Sequence, residues 1–245
     1  QKIISKAGHM PHVLCLTATP IPRSLALTIY GELDISIVKS APTTRAGVKT
    51  ELISPNSTLQ MYQQVKKSVQ AGRQAFIVCP LIEDSENSKL TSADQIYKEL
   101  TRGIFKDLAV GLVHGKLKPT EKNQIMSDFA QNKIQVLVAT TVVEVGIDVP
   151  NATEMVILNA DRFGLAQLHQ LRGRVGRGVH SGTCYMVMTD SLAPSKRMRA
   201  MQETNDGFEL AELDLSIRGP GAIYGVMQHG ALDLSFAKIT DIKLI

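Results

Sequence analysis

Residues 170–177 read Gln-Leu-Arg-Gly-Arg-Val-Gly-Arg and place three arginines within six positions. A guanidinium stays protonated and offers a planar fork of donors that matches carboxylate and phosphate oxygens. The interleaved Gly173 and Gly176 remove bulk that would hold the backbone away from a ligand. The chemistry this suits is stabilisation of polyanionic charge. A second stretch, 139–148, reads Ala-Thr-Thr-Val-Val-Glu-Val-Gly-Ile-Asp. Hydroxyls at Thr140 and Thr141 and a bare turn at Gly146 can hydrogen-bond a phosphodiester backbone, and Asp148 can accept from a ribose hydroxyl. A third, Thr17-Ala-Thr19-Pro, closes an apolar run with small hydroxyl side chains.

Other reactive-looking residues carry less. His114-Gly115-Lys116 is followed by Leu117, whereas a phosphate loop needs Gly-x-x-x-x-Gly-Lys and then Ser or Thr. Lys116 and Lys118 suit contacts to backbone phosphates or simple exposure to solvent. His169, among leucines, reads as a structural histidine, and no Cys/His spacing suggests a metal site.

The elements that must hold these residues are legible from periodicity. Apolar runs at 48–54, 74–80, 108–113, 134–139, 154–159 and 183–188 read as strands. Helical patterns separate several of them. Residues 58–71 present Leu59, Tyr62, Val65 and Val69, residues 92–102 present Ala93, Ile96, Tyr97 and Leu100, and 119–131 turn Ile125, Met126 and Phe129 inward. Leu165, Leu168 and Leu171 bury one side of a helix that begins near Gly164, which leaves the arginines to point elsewhere. Such alternation predicts an α/β fold with a mainly parallel sheet covered by helices on both faces. Ligands of such sheets lie beyond the carboxyl ends of the strands.

Flanking this unit, a strand over 12–19, a helix over 23–30 and a further strand over 35–38 read as the tail of an earlier domain, with a linker over 41–47. After Asp190 the pattern becomes a basic helix at 194–203, a short helix at 208–213 and a glycine-rich stretch at 216–230. The expected organisation is 1–41, 42–190 and 191–245.

Composition sets bounds on the whole. The 245 residues carry a net charge of +4, unevenly spread. Residues 162–199 hold seven Lys or Arg against Asp190 alone, so that segment is +6 and the remainder −2. A local basic stripe on a balanced protein suits a phosphate-bearing partner. No apolar run approaches the roughly 20 residues of a membrane span, and no signal-peptide pattern opens the chain. Cys15, Cys79 and Cys184 lie in strand-like runs, as buried reduced thiols would, which suggests a cytoplasmic setting.

Taken together, the Thr17–Pro20, 139–148 and 170–177 stretches resemble motifs III, V and VI of superfamily 2 helicases, on the second RecA-like domain and the end of the first. Asn205-Asp-Gly-Phe, then Asp214-Leu-x-Ile-Arg-Gly-Pro-Gly, Gly225 and Gln228 resemble the translocation element of RecG-type branched-DNA helicases and transcription-repair coupling factors, and Pro220 between glycines is more like the former. The resemblance implies a RecA-like sheet followed by a helical hairpin and loop. It implies Arg174 and Arg177 as arginine fingers toward ATP bound on the other domain, with Gln170, Gly146, Asp148 and Gly173 at the nucleotide. It further implies Thr17, Thr19, Thr140, Thr141, Lys116, Arg197, Arg218 and Gln228 in DNA contact or coupling.

The implied activity is ATP- and Mg-dependent remodelling of branched duplex DNA by a monomer. The sequence contains neither a phosphate loop nor an Asp-Glu dipeptide, so it is expected to be a C-terminal portion of the motor, inactive alone. A transcription-repair coupling translocase and a non-hydrolysing DNA-binding scaffold are the alternatives.

Overall fold

Short runs of β-branched and apolar residues bounded by turns become strands covered on both faces. The computed structural model describes residues 47–80, 92–140, 148–190 and 192–218, with the isolated positions 14, 36 and 38. In chain order its elements are β1 (Val48–Ile53), α1 (Thr58–Gln70), β2 (Gln74–Val78), α2 (Ser92–Arg102), β3 (Val110–Val113), α3 (Pro119–Ala130), β4 (Val136–Ala139), β5 (Ala152–Ile157), α4 (Leu165–Arg172), β6 (Gly182–Val187), α5 (Lys196–Glu203) and α6 (Gly207–Arg218). The six strands form one sheet in the order β1-β6-β5-β2-β4-β3, and every pairing is parallel. This is the expected α/β sheet. Apart from those isolated positions, the strands expected at 12–19 and 35–38, the helix at 23–30, the linker residues 41–46 and the glycine-rich residues 219–230 lie outside the described residues.

Alternation along the strands splits the core in two. Met61, Val65 and Val69 of α1 and Ala93 and Leu100 of α2 pack on Ala75, Ile77, Val138 and Val156. On the opposite face Met126 and Phe129 of α3, the three leucines of α4, Met198 and Met201 of α5 and Leu210 of α6 pack with Phe76, Leu137, Met155 and Ile157. Helix α4 has eight residues, too few for stability in isolation. Leu165, Leu168 and Leu171 are each fully buried, and each contributes on the order of 2 kcal/mol of hydrophobic burial, so tertiary packing holds it.

Leu59 departs from expectation. It is 65% exposed, and the buried seam of α1 runs through Met61, Val65 and Val69 at four-residue steps. Cys79 and Cys184 are buried, and burial pushes both thiols up to about 12, which leaves them unreactive. Among the described residues no helix is long and apolar enough to cross a membrane.

Candidate functional site

The sheet order determines which loops can meet. Strand β5 lies between β6 and β2, and β2 is flanked by β4, so the segments that follow β4 and β5 rise from the central part of one sheet edge. Thr140 directly follows β4 and is buried, with its N–H donating to the Val113 carbonyl at 3.1 Å. Its hydroxyl is also buried and has no hydrogen-bond partner among the described residues. Asp148 is exposed, and Arg177 Nη1 lies 3.3 Å from its carboxylate. The last residues of the 139–148 and 170–177 stretches come together at the amino ends of β1, β5 and β6, although 29 positions separate Asp148 from Arg177.

The loop that carries the arginines is shaped by glycine. Gly173 caps α4, with its N–H donating to the His169 carbonyl at 3.0 Å. Arg177 folds back so that Nε donates to the Gly173 carbonyl at 2.7 Å. Two of the five guanidinium N–H groups are thus engaged among the described residues, and the others remain available to an anion. Gly176 has φ +66°, and a Cβ there would lie 2.7 Å from the Gly47 carbonyl oxygen and 2.8 Å from a Val48 methyl. A Cβ on Gly178 would lie 2.7 Å from the Pro150 carbonyl oxygen. The loop is wedged between the start of β1 and the 148–150 segment, and only glycine fits at both places. Gln170, within α4, and Arg174, in the loop after it, are both half-buried.

Arg172 does not share the outward course expected of the arginine cluster. It is 3% exposed, and its Nη1 donates to the carbonyls of Met201 and Thr204, each at 2.9 Å. The helix register explains this, since Arg172 follows Leu171 onto the face that meets α5 and α6. Burial lowers its pKa from an already very high value, and the guanidinium stays charged. His169 is the structural histidine expected: burial and the nearby Arg172 charge lower its pKa, against the opposing pull of the Asn205 backbone and Asp206.

The remaining basic residues flank this group. Arg197 on α5 donates through Nη2 to the Phe163 carbonyl, just before α4. Arg199 Nε donates to the Pro194 carbonyl at 3.1 Å, Lys196 is exposed, and Arg218 ends α6. Lys116 is exposed in the turn after β3. Thr17, Thr19, Thr141, Gly146 and Gln228 lie outside the described residues.

Sequence reasoning passed over three features. Gly173 was expected at the nucleotide, yet Gly176 is the glycine whose missing side chain the packing demands. The turn between α5 and α6 is built by Thr204, whose hydroxyl donates to Glu209 at 2.6 Å, and Asp206, whose carboxylate accepts from the Phe208 N–H at 2.7 Å. Asp206-Gly207 before an apolar residue is an N-cap signal that could have located α6. Nothing in the sequence separates Arg172 from its neighbours.

The arrangement brings Arg177 and Asp148 together at the amino ends of β1, β5 and β6, with the buried Thr140 at the opposite, carboxyl end of β4. The arginines therefore do not lie at the carboxyl edge expected for a ligand of such a sheet. The basic helix α5 packs against α4. Comparison with known proteins bears on the family. Residues 57–179 match the helicase conserved C-terminal domain, and residues 204–244 match ATP-dependent DNA helicase RecG, domain 3, C-terminal. The chain is 48% identical over 238 residues to the ATP-dependent DNA helicase RecG of Bacillus subtilis, covering 97% of this chain and 35% of that protein. It is 46% identical over 242 residues to that of Synechocystis sp., covering 98% of this chain and 29% of that one. A structure of RecG bound to a three-way DNA junction superimposes with a TM-score of 0.71 at 45% identity, over 84% of this chain and 27% of that one. The chain thus spans about a third of the length of these relatives. It belongs to the helicase conserved C-terminal domain family and, within superfamily 2, is of the RecG type.

Proposed function

We propose that this chain is the second motor domain, with its attached hairpin, of an ATP-dependent DNA helicase that remodels branched DNA by fork regression and branch migration. The observation that carries this reading is the meeting of Arg177 with Asp148, in the loop that also carries Arg174, at the amino ends of β1, β5 and β6. In this reading residues 1–41 end a first RecA-like domain, 42–190 form the second, and 191–245 form the translocation hairpin and loop. The RecG relatives are named as ATP-dependent, and one is titled as bound to a three-way junction, which supports ATP and branched duplex DNA as partners here. The setting is cytoplasmic and the working unit a monomer.

ATP with Mg, held mainly by the first domain, supplies a phosphoryl group whose transfer spreads charge over its oxygens. Arg174 and Arg177 orient toward that charge when the two domains close, and a guanidinium fork there is worth up to about 10³ to 10⁵ in rate in related systems. Arg177 must exchange its Asp148 contact for the phosphate. Asp148 is then released to accept from the ribose, with Gln170, Gly173 and Gly146 completing the nucleotide side. Thr17, Thr19, Thr140, Thr141 and Lys116, with Arg197, Arg218 and Gln228 of the hairpin and loop, face or couple to DNA. Contact is mainly to phosphate, so affinity falls with salt and carries little sequence preference.

The test is Arg174→Ala in the full-length protein. Hydrolysis is abolished while ATP binding is largely retained. Lost binding with normal turnover per bound ATP would refute the finger role. The purified 245-residue chain alone is expected to show no DNA-stimulated ATPase.

A further inference from the structure

Glu154 and Arg172 are the buried charged side chains among the described residues, and they differ in how they are accommodated. Glu154 accepts from the Ser68 hydroxyl at 2.6 Å beneath α1, and burial raises its pKa toward the neutral acid. Arg172 cannot escape by losing its proton. No carboxylate lies within ion-pair distance of it among the described residues, and its Nη2 has no partner there. What compensates the charge is a pair of backbone carbonyls, Met201 and Thr204, at the C-terminal end of α5. That end holds the unsatisfied carbonyls and the negative pole of the helix, so a cation from α4 serves as its cap. A third contact, to the Thr50 hydroxyl of β1, is long at 3.5 Å.

Position in the chain gives this cap a consequence. Arg172 is the last residue of α4, and the arginine loop begins at the next residue. If the end of α4 shifted alone, the guanidinium would leave its carbonyls and remain buried without compensation, which is a severe cost. Of the neighbouring ties, Arg197 of α5 holds the start of α4 through the Phe163 carbonyl and Asn205 Nδ2 donates to the Val48 carbonyl at 3.4 Å, whereas Arg172 holds the end of α4 that leads into the loop.

We propose that Arg172 is a positioning residue that fastens the arginine loop 173–177 to the α5–α6 hairpin, so that a displacement of the loop at the nucleotide is delivered to the hairpin as movement of one body. This rests on the motor reading above, and concerns how the stroke is transmitted and not whether the chain belongs to a motor.

The experiment uses the full-length protein carrying Arg172→Lys. An ammonium keeps the charge but ends one bond short of Nη1, the atom that reaches both carbonyls. With wild type active, the variant is expected to retain DNA-stimulated ATP hydrolysis within a few-fold while junction remodelling slows about tenfold or more, within the span of ordinary coupling free energies. A proportional fall in both activities, or no fall in remodelling, overturns the proposal and leaves Arg172 a stability staple. Hydrogen exchange on the unmodified full-length protein gives a test that does not depend on the variant folding. Between the nucleotide-free state and the state with a non-hydrolysable ATP analogue and a three-way junction, amides at 173–177 and at the C-terminal end of α5 should change protection together. A change in one segment without the other, or in neither, overturns it. A wild-type protein with no DNA-stimulated ATPase would instead sink the motor reading itself, and the two failures are therefore distinct.

Discussion

The loop 173–178 and the turn 201–206 flank the same helix face, yet they are held in opposite ways. The loop is shaped by what is missing, since Gly176 and Gly178 let the backbone press against Gly47, Val48 and Pro150. The turn is shaped by what is present: the Arg172 cap, the Thr204 hydroxyl and the Asp206 carboxylate. Steric fit of this kind is all-or-none, because a single methyl group meets backbone that cannot yield. Polar capping is graded, because each hydrogen bond contributes separately and water can replace an exposed partner. A segment that must present arginines at a fixed place gains from the first, and a joint between helices can use the second.

The sharpest test of this contrast is Gly176→Ala. The positive φ and the 2.7 Å approach to the Gly47 oxygen together should cost about 3 kcal/mol, read by chemical denaturation. An unchanged midpoint would mean that the loop is not wedged. Asp206→Ala removes an N-cap and should cost about 1 kcal/mol, with α6 fraying first in hydrogen exchange. A loss as large as that of Gly176→Ala would erase the distinction between the two regions.

His169, between them, supplies a pH-dependent measure. Its folded-state pKa is depressed below the ordinary 6.5, so below that value the unfolded chain takes up the proton first. This contribution is complete above 6.5 and is lost as pH falls toward the folded pKa, and His169→Gln should flatten that slope. A slope unaltered by the substitution would assign the dependence to other groups. The smallest effect is expected from Gly173→Ala, whose Cβ would sit 3.4 Å from the His169 carbonyl oxygen in right-handed backbone. Stability should stay within about 0.5 kcal/mol, so any larger loss of ATPase in the full-length variant reports on the nucleotide side alone.

The contrast also explains what could be read from the sequence. The strands and the inward leucines of α4 follow from periodicity, which burial enforces at every turn. The glycine–arginine alternation is visible because it is local. Which arginine turns inward is not local: Arg172 and Arg174 differ by where α5 ends in space, some thirty residues later in the chain. The exposure of Leu59 has a similar origin, as Met61 and Leu59 compete for one seam and only the packed sheet decides. The Asp206 cap was legible in principle and was hidden by its proximity to a family motif.

The pairing of β1 with β6 bears on how the domain acquires its shape. Val48 stands opposite Gly182, and the Gly182 N–H donates to the Gly47 carbonyl at 2.9 Å, so the first strand of the unit waits for the last. Closing so long a stretch of chain is entropically costly and slow compared with the local crossovers between β2, β3 and β4. During synthesis β1 emerges early with no neighbour to pair, and the niche between Gly47 and Gly182 that receives Gly176 forms only once β6 has left the ribosome. The arginine loop should therefore be among the last parts to order, and a nascent chain halted before residue 182 would carry these arginines without the pocket that aims them.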